Sequence, residues 1–340
     1  MMATITGKER LTAFLAHQEV DRTPWVPLAG VHFGKLKNFS AKSVLTDSDK
    51  LLDSLLTANQ AYRPDGLPVY FDIQVEAEIL GCELSWAENA TPSVKTHPLQ
   101  DDPQLPEKLL DENDGRLPLI LETMEKAQSR LGAATALFGL VTGPLTIAYH
   151  LRGNPLFFDL ADNKDSFKAL LAFTSRVTER MAEIYIRAGM DVIGVIEPVA
   201  SQISPQTFQQ HLLKNYQTLF EHIHRLEALS MLHICGNASK IIDLMCQTGA
   251  KILSLDEKVH LAKIQPITER YGVFLQGNIP AITHLLNGTP KDVRDYVKEL
   301  LTALPAPEHL ILSPGCDLPW GTPSANVTAA FEALYNTNAW

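Results

Sequence analysis

Met231-Leu232-His233-Ile234-Cys235-Gly236-Asn237 is a short apolar run that ends on chemistry. Its length and the glycine that stops it predict a buried β-strand. Side chains two apart on a strand share a face, so His233 and Cys235 look into one space. In a parallel barrel, the C-terminal ends of the strands and the loops that follow them build the active site. At the C-terminal end of a barrel strand, the space that this imidazole and thiol share is the active-site cup.

Seven similar runs lie on either side, at Pro24–Leu28, Leu67–Asp72, Thr135–Val141, Asp191–Glu197, Ile252–Leu255, Val273–Gln276 and Leu310–Ser313. Several of them also end on a polar or special residue, namely Asp72, Glu197, Gln276 and Ser313. Amphipathic stretches separate them, so the chain reads as repeated βα units of a (β/α)8, or TIM, barrel. One such domain over residues 1–340 suits the length, because barrels commonly exceed 250 residues. Helices are expected over Gly7–His17 and Asp165–Ala188, from the spacing of their apolar residues. Ser204-Pro205 and Thr289-Pro290 are start signals, an N-cap followed by proline at the first helical position. Around residues 80–118 an insertion is expected. It comprises a small hairpin from Glu83–Glu88 and Ser93–His97, then an exposed linker from Pro103 to Pro118.

Bulk composition narrows the class. A net charge of −10 argues against nucleic acid or an anionic membrane surface as the main partner. Four cysteines are too few for a disulfide scaffold. The first residues lack the charged-then-apolar layout of a signal peptide, which makes the cytoplasm the default compartment. The apolar stretch Leu131–Leu151 is interrupted by Gly139, Gly143 and Pro144, and reads as strand, turn and helix rather than a membrane span.

The last strand delivers Ser313-Pro314-Gly315-Cys316-Asp317, a second thiol at the same rim. Two thiolates and one imidazole suit zinc, and three protein ligands with an open fourth position is the catalytic pattern. A thiol bound to zinc loses its proton and becomes a soft nucleophile at neutral pH. The competing reading is that these cysteines are merely buried hydrophobes. That reading is kept for Cys82 and Cys246. Asp72 and Glu197 each end an apolar run, where a carboxylate is costly unless paired, hydrated or used, and both are candidate catalytic groups. Glu197 has two readings: a fourth, displaceable ligand or proton acceptor, and a cap on the following loop. Glu76 and Glu78 fit a solvated or supporting role. Asn237, Gln276 and Asn278 are candidates for holding substrate or orienting His233, and Asp256 belongs to the same rim. His32, His150 and His260 read as ordinary polar loop residues.

Taken together, Pro24–Gly30, Gly143-Pro-Leu-Thr, His233-Ile-Cys-Gly-Asn, Gln276-Gly-Asn and Ser313-Pro-Gly-Cys-Asp-Leu-Pro resemble the uroporphyrinogen decarboxylase superfamily over nearly the whole chain. The resemblance implies a (β/α)8 barrel. His-X-Cys with a late Cys is similar to the methylcobamide:coenzyme M methyltransferase branch, whose zinc ligands map onto His233, Cys235 and Cys316. It implies a zinc enzyme that moves a methyl group from a methyl-corrinoid, presented by a separate corrinoid protein, to a small-molecule thiol such as coenzyme M. Decarboxylation is the alternative, with a non-catalytic zinc- or corrinoid-binding relative as a third. The decarboxylases carry an early Arg-Gln-Ala-Gly-Arg segment that serves the substrate carboxylates. Here Pro27-Leu28-Ala29-Gly30-Val31 has neither arginine. Asp72 matches the aspartate that lines the decarboxylase barrel.

Overall fold

The computed structural model describes residues 5–102 and 104–336. Its strands are β1 (Gly66–Tyr70), β2 (Leu84–Ser85), β3 (Ser93–Val94), β4 (Ala136–Thr142), β5 (Val192–Ile196), β6 (Leu229–Ile234), β7 (Ile252–Leu255), β8 (Phe274–Ile279) and β9 (Leu310–Pro314). Seven of them form one parallel sheet in the order β1-β4-β5-β6-β7-β8-β9, and β2 pairs antiparallel with β3. Helices on the outside and side chains on the inside bury the sheet on both faces, which is why its strands read as continuous apolar runs.

The eighth expected strand departs from the prediction. Pro24–Leu28 is not a ladder strand; it makes a single parallel bridge, Trp25 to Leu312. Val26 N–H donates to Leu312 O at 3.0 Å and Leu312 N–H to Pro24 O at 2.8 Å. On its other side Asp65 N–H, just before β1, donates to Trp25 O at 2.8 Å. The segment thus closes the ring between β9 and β1 with few bonds. Pro24 and Pro27 supply no N–H, which leaves this segment fewer donors for a ladder.

Inside the ring, Val26, Leu28, Phe71, Phe138, Leu140, Ile196, Met231, Ile252, Phe274 and Ile311 fill the barrel as one cluster. This packed plug lies below the C-terminal strand ends and leaves chemistry to the rim. At the opposite end, buried Asp65 accepts from Arg10 at 2.6 Å, from Arg22 at 2.6 and 2.9 Å and from Trp25 N–H at 2.7 Å. That network pins the N-terminal helix Gly7–Leu15 to the barrel floor.

The long helix is Lys164–Arg187, one residue earlier at each end than expected. Ser204 accepts from Thr207 N–H as an N-cap, although the helix it opens runs through a π-turn at Phe208–Leu212 before Leu213–Arg225. Thr289 forms a full capping box with Asp292. Leu131–Leu151 resolves into β4 and a helix at Pro144–Arg152, and no helix among the described residues is long and apolar enough to cross a membrane. The hairpin is shorter than expected, with two residues in each strand. Pro103, where the linker is expected to start, lies outside the described residues, as do Met1–Thr4. The linker is not wholly exposed either: Leu110 is buried and Arg116 turns its guanidinium inward onto Asp72 and Glu78.

Candidate metal centre

His233 sits near the end of β6 and Cys235 just beyond it, on the same face. Gly236 then adopts φ +79°, a left-handed turn that an L side chain resists, and its N–H donates to Asp256 Oδ2 at 2.8 Å. The turn holds Cys235 at the rim. Across the barrel, β9 ends at Pro314, and Gly315 passes so close to the Asp256–Glu257 backbone that a Cβ there would meet Glu257 N at 2.8 Å. That close approach lowers Cys316 toward β6.

The result is a compact donor set. His233 Nε2 lies 3.0 Å from Cys235 Sγ, and Cys235 Sγ lies 3.5 Å from Cys316 Sγ. All three ligand atoms fall within 4.8 Å of one another. Zinc binds sulfur at about 2.3 Å and imidazole at about 2.0 Å, so donors around one ion stand about 3.5–3.8 Å apart. The set fits a single ion with a slight opening. A hydrogen bond links the two thiols. The hydrogen bond from Cys235, reinforced by His233, pulls Cys316 down, while that bond and burial push Cys235 up. The cluster therefore already favours one thiolate. Fully buried Ser254 on β7 meets the other ring nitrogen, Nδ1 of His233, at 3.0 Å.

The other sequence candidates fall in different places. Glu197 is completely buried and accepts four hydrogen bonds, from Leu145 N–H at 3.0 Å, Thr146 N–H at 2.7 Å, the Thr146 hydroxyl, and Tyr216 OH at 2.6 Å. It caps the helix at Pro144–Arg152 and is not among the atoms gathered around Cys235. Burial raises its pKa despite those bonds. Asp72 is paired with Arg116, whose Nη1 lies 2.7 Å from Oδ2, and it accepts Gln74 N–H at 3.0 Å. Burial pushes Asp72 up as well.

Asn237 is exposed and closes its own turn by accepting Ser239 N–H. Asn278 donates to Asp256 O at 3.0 Å and Val259 O at 2.8 Å, stitching the β7 loop to β8. Gln276 is fully buried behind the cluster. Of the two readings for Glu76, solvated or supporting, the solvated one does not hold: it is buried and accepts Thr142 N–H at 2.8 Å, with the Thr142 hydroxyl at 2.6 Å. His32 and His150 are likewise buried rather than loop-exposed. Cys82 and Cys246 are buried apart from the cluster, each pushed up to about 12 by burial.

Three residues escaped the sequence reading. Ser254 had a findable signal, a hydroxyl inside an otherwise apolar strand. Glu257 adjoins Asp256, and its Oε2 is buried without a partner beside Gly315. Burial raises its pKa, with Asp256 and Cys316 adding like charge. Arg116 had no signal, since only folding brings it to Asp72.

A barrel that gathers two thiols and an imidazole at its C-terminal rim carries a donor set that could hold a metal ion where barrel enzymes place their chemistry. The uroporphyrinogen decarboxylase (URO-D) family model matches residues 6–337, and the chain belongs to that family. Within it, the chain is 29% identical over 343 residues to the methylcobamide:CoM methyltransferase MtbA of Methanosarcina acetivorans, covering 98% of this chain and 99% of that protein. It is also 29% identical over 344 residues to the methylcobamide:CoM methyltransferase MtaA of Methanosarcina barkeri, covering 98% of each. A solved methyltransferase from Methanosarcina mazei superposes with a TM-score of 0.89 at 25% identity, over 98% of this chain and 99% of that one.

Proposed function

We propose that this chain is a zinc-dependent methyltransferase that moves a methyl group from a methylated corrinoid to a thiol of the coenzyme M type. The observation that carries this is the convergence of His233 Nε2, Cys235 Sγ and Cys316 Sγ in a chain that matches methylcobamide:CoM methyltransferases end to end. His233, Cys235 and Cys316 would hold the ion, and a metal bound there would lower the pKa of a thiol that joined them.

The chain's own groups do the rest. Asp256 fixes the Gly236 turn and hence Cys235. Asp317 Oδ1 accepts Gly30 N–H at 3.0 Å, anchoring the loop after Cys316 to the closing segment. Leu28, Phe71 and Ile196 belong to the buried apolar cluster that fills the ring. Glu257 keeps a buried, unpaired carboxylate oxygen beside Gly315, the residue before Cys316. In the reaction, the substrate sulfur forms a bond to the methyl carbon and the carbon–cobalt bond breaks. The electron pair stays on cobalt, giving the Co(I) corrinoid, and the thiol proton passes to solvent. The corrinoid is large, so its presentation by a separate protein over the C-terminal face belongs to the same proposal.

Decarboxylation of a polycarboxylate tetrapyrrole is disfavoured by the rim itself. Pro27–Val31 contributes no cation, and Arg116 already holds the Asp72 carboxylate. The test is incubation of the zinc-loaded protein with methylcobalamin and a panel of thiols, following the corrinoid spectrum. Thiol-dependent demethylation is expected. Demethylation by no thiol, or conversion of uroporphyrinogen instead, would overturn the proposal.

A further inference from the structure

Behind the imidazole lies a row of polar side chains that the metal set does not itself explain. His233, Ser254 and Gln276 are lateral register partners on β6, β7 and β8, and all three are fully buried. His233 Nδ1 faces Ser254 Oγ at 3.0 Å. Gln276 Nε2 donates to Ser313 Oγ at 3.4 Å, while its Oε1 has no hydrogen-bond partner. An unpaired buried acceptor is costly, and in a native core it calls for a reason.

The reason follows from counting protons, on the reading that His233 is a metal ligand. A neutral imidazole carries one N–H. If Nε2 is to offer a lone pair to an ion, the proton must sit on Nδ1, and Nδ1–H then donates to Ser254 Oγ. The serine hydroxyl has one hydrogen of its own, and in a site closed to water it must find another acceptor. Gln276 Oε1, on the neighbouring strand, is a buried acceptor with capacity to spare. In the opposite tautomer the serine donates to Nδ1 and Nε2–H points at Cys235 Sγ, 3.0 Å away. Nε2 then has no lone pair to give, and Gln276 Oε1 stays without a donor as it stands in this structure.

We propose that Ser254 and Gln276 are positioning residues that set the tautomer of His233. When the ring ligates metal, the Ser254 hydroxyl hydrogen leaves Nδ1, and the Gln276 amide, which has no donor at Oε1 in this structure, shifts to accept it. This completes a chain of hydrogen bonds from His233 through Ser254 and Gln276 to Ser313. The chain holds Nε2 toward the sulfurs and keeps Nδ1 protonated. Neither residue touches the substrate; both act through the ring.

The test measures zinc affinity by competition with a chromophoric chelator in the full-length parent, Ser254→Ala, Gln276→Leu and the double variant. Loss of partners to a metal-binding histidine typically weakens binding by about ten- to a hundredfold, and that is the loss expected for Ser254→Ala. Gln276→Leu should lose a smaller factor. The double variant should bind no more weakly than Ser254→Ala, because Gln276 works through the serine. The parent provides an independent readout. In 15N-histidine-labelled, zinc-loaded protein, one ring bound through Nε2 should show a slowly exchanging Nδ1–H, absent in Ser254→Ala. Zinc affinity of Ser254→Ala within about twofold of a zinc-binding parent would overturn the relay alone, given the usual size of such effects. Losses that multiply in the double variant would do the same. A parent that takes up no stoichiometric zinc would overturn the ligand assignment, and the relay with it.

Discussion

At the scale of single residues, the site separates side chains that meet at the rim from those held elsewhere. Cys316 stands at a loop end with its sulfur 3.5 Å from that of Cys235. Its replacement removes a donor without opening the core. Cys316→Ala should therefore keep the parent circular dichroism while its zinc content, by elemental analysis, falls from one per chain toward none. Glu197 should behave in the opposite way. Its oxygens accept four hydrogen bonds in a buried pocket. Glu197→Gln turns an amide group toward donors and should destabilise the fold by about 1–3 kcal/mol, read from urea unfolding. Zinc content should be unchanged. Loss of zinc in Glu197→Gln with stability intact would instead assign the carboxylate to the metal.

At the scale of elements, the decisive features are two strand ends and the glycines that shape them. Gly236 at φ +79° turns the chain after β6, and Gly315 allows close approach after β9. Gly236→Ala puts a Cβ into the left-handed region, at a cost of about 1–2 kcal/mol. Open space surrounds that position, with Ser201 Oγ at 3.6 Å the nearest atom. The strain should therefore be relieved by moving the turn rather than by unfolding. We expect weaker zinc binding in Gly236→Ala with only a small fall in melting temperature. Unchanged affinity would show that the turn does not position Cys235. The helix at Pro144–Arg152 illustrates a second device, since the buried Glu197 carboxylate faces the positive end of its dipole.

At the scale of the whole molecule, burial ties stability to pH. His32 and His150 are enclosed, and burial pushes each from 6.5 down to about 4. The unfolded chain takes up these protons near pH 6.5, whereas the folded chain resists them until about pH 4. The unfolded state binds more protons between those limits, so stability rises with pH through the window. Their contribution is complete above pH 6.5 and is lost as the pH falls toward 4. The full effect is on the order of 3 kcal/mol for each histidine. Melting temperature should fall steadily from pH 7 to pH 4, and His150→Gln should flatten that slope. An unchanged slope in the variant would place the sensitivity elsewhere. Raised carboxylates such as Glu76 and Glu197 act with the opposite sign and temper the fall.

What the sequence determined by itself was local: which runs are strands, where each ends, and which polar side chains stand at those ends. Strand periodicity put His233 and Cys235 on one face, and the start signals at Ser204 and Thr289 named real caps. The tertiary structure decided what these ends meet. β6 and β9 are not neighbours in the sheet, so only the curvature of the ring brings Cys316 to Cys235. The same applies to the carboxylates. Asp72 and Glu197 look alike as polar ends of apolar runs, yet one pairs with Arg116 and the other caps a helix. The closing segment Pro24–Leu28 reads as a strand by its pattern but makes only a single bridge, with two prolines that cannot donate. Local spacing fixes the face a side chain occupies, but its partner comes from a distant part of the chain, through a closure that no short window of sequence encodes.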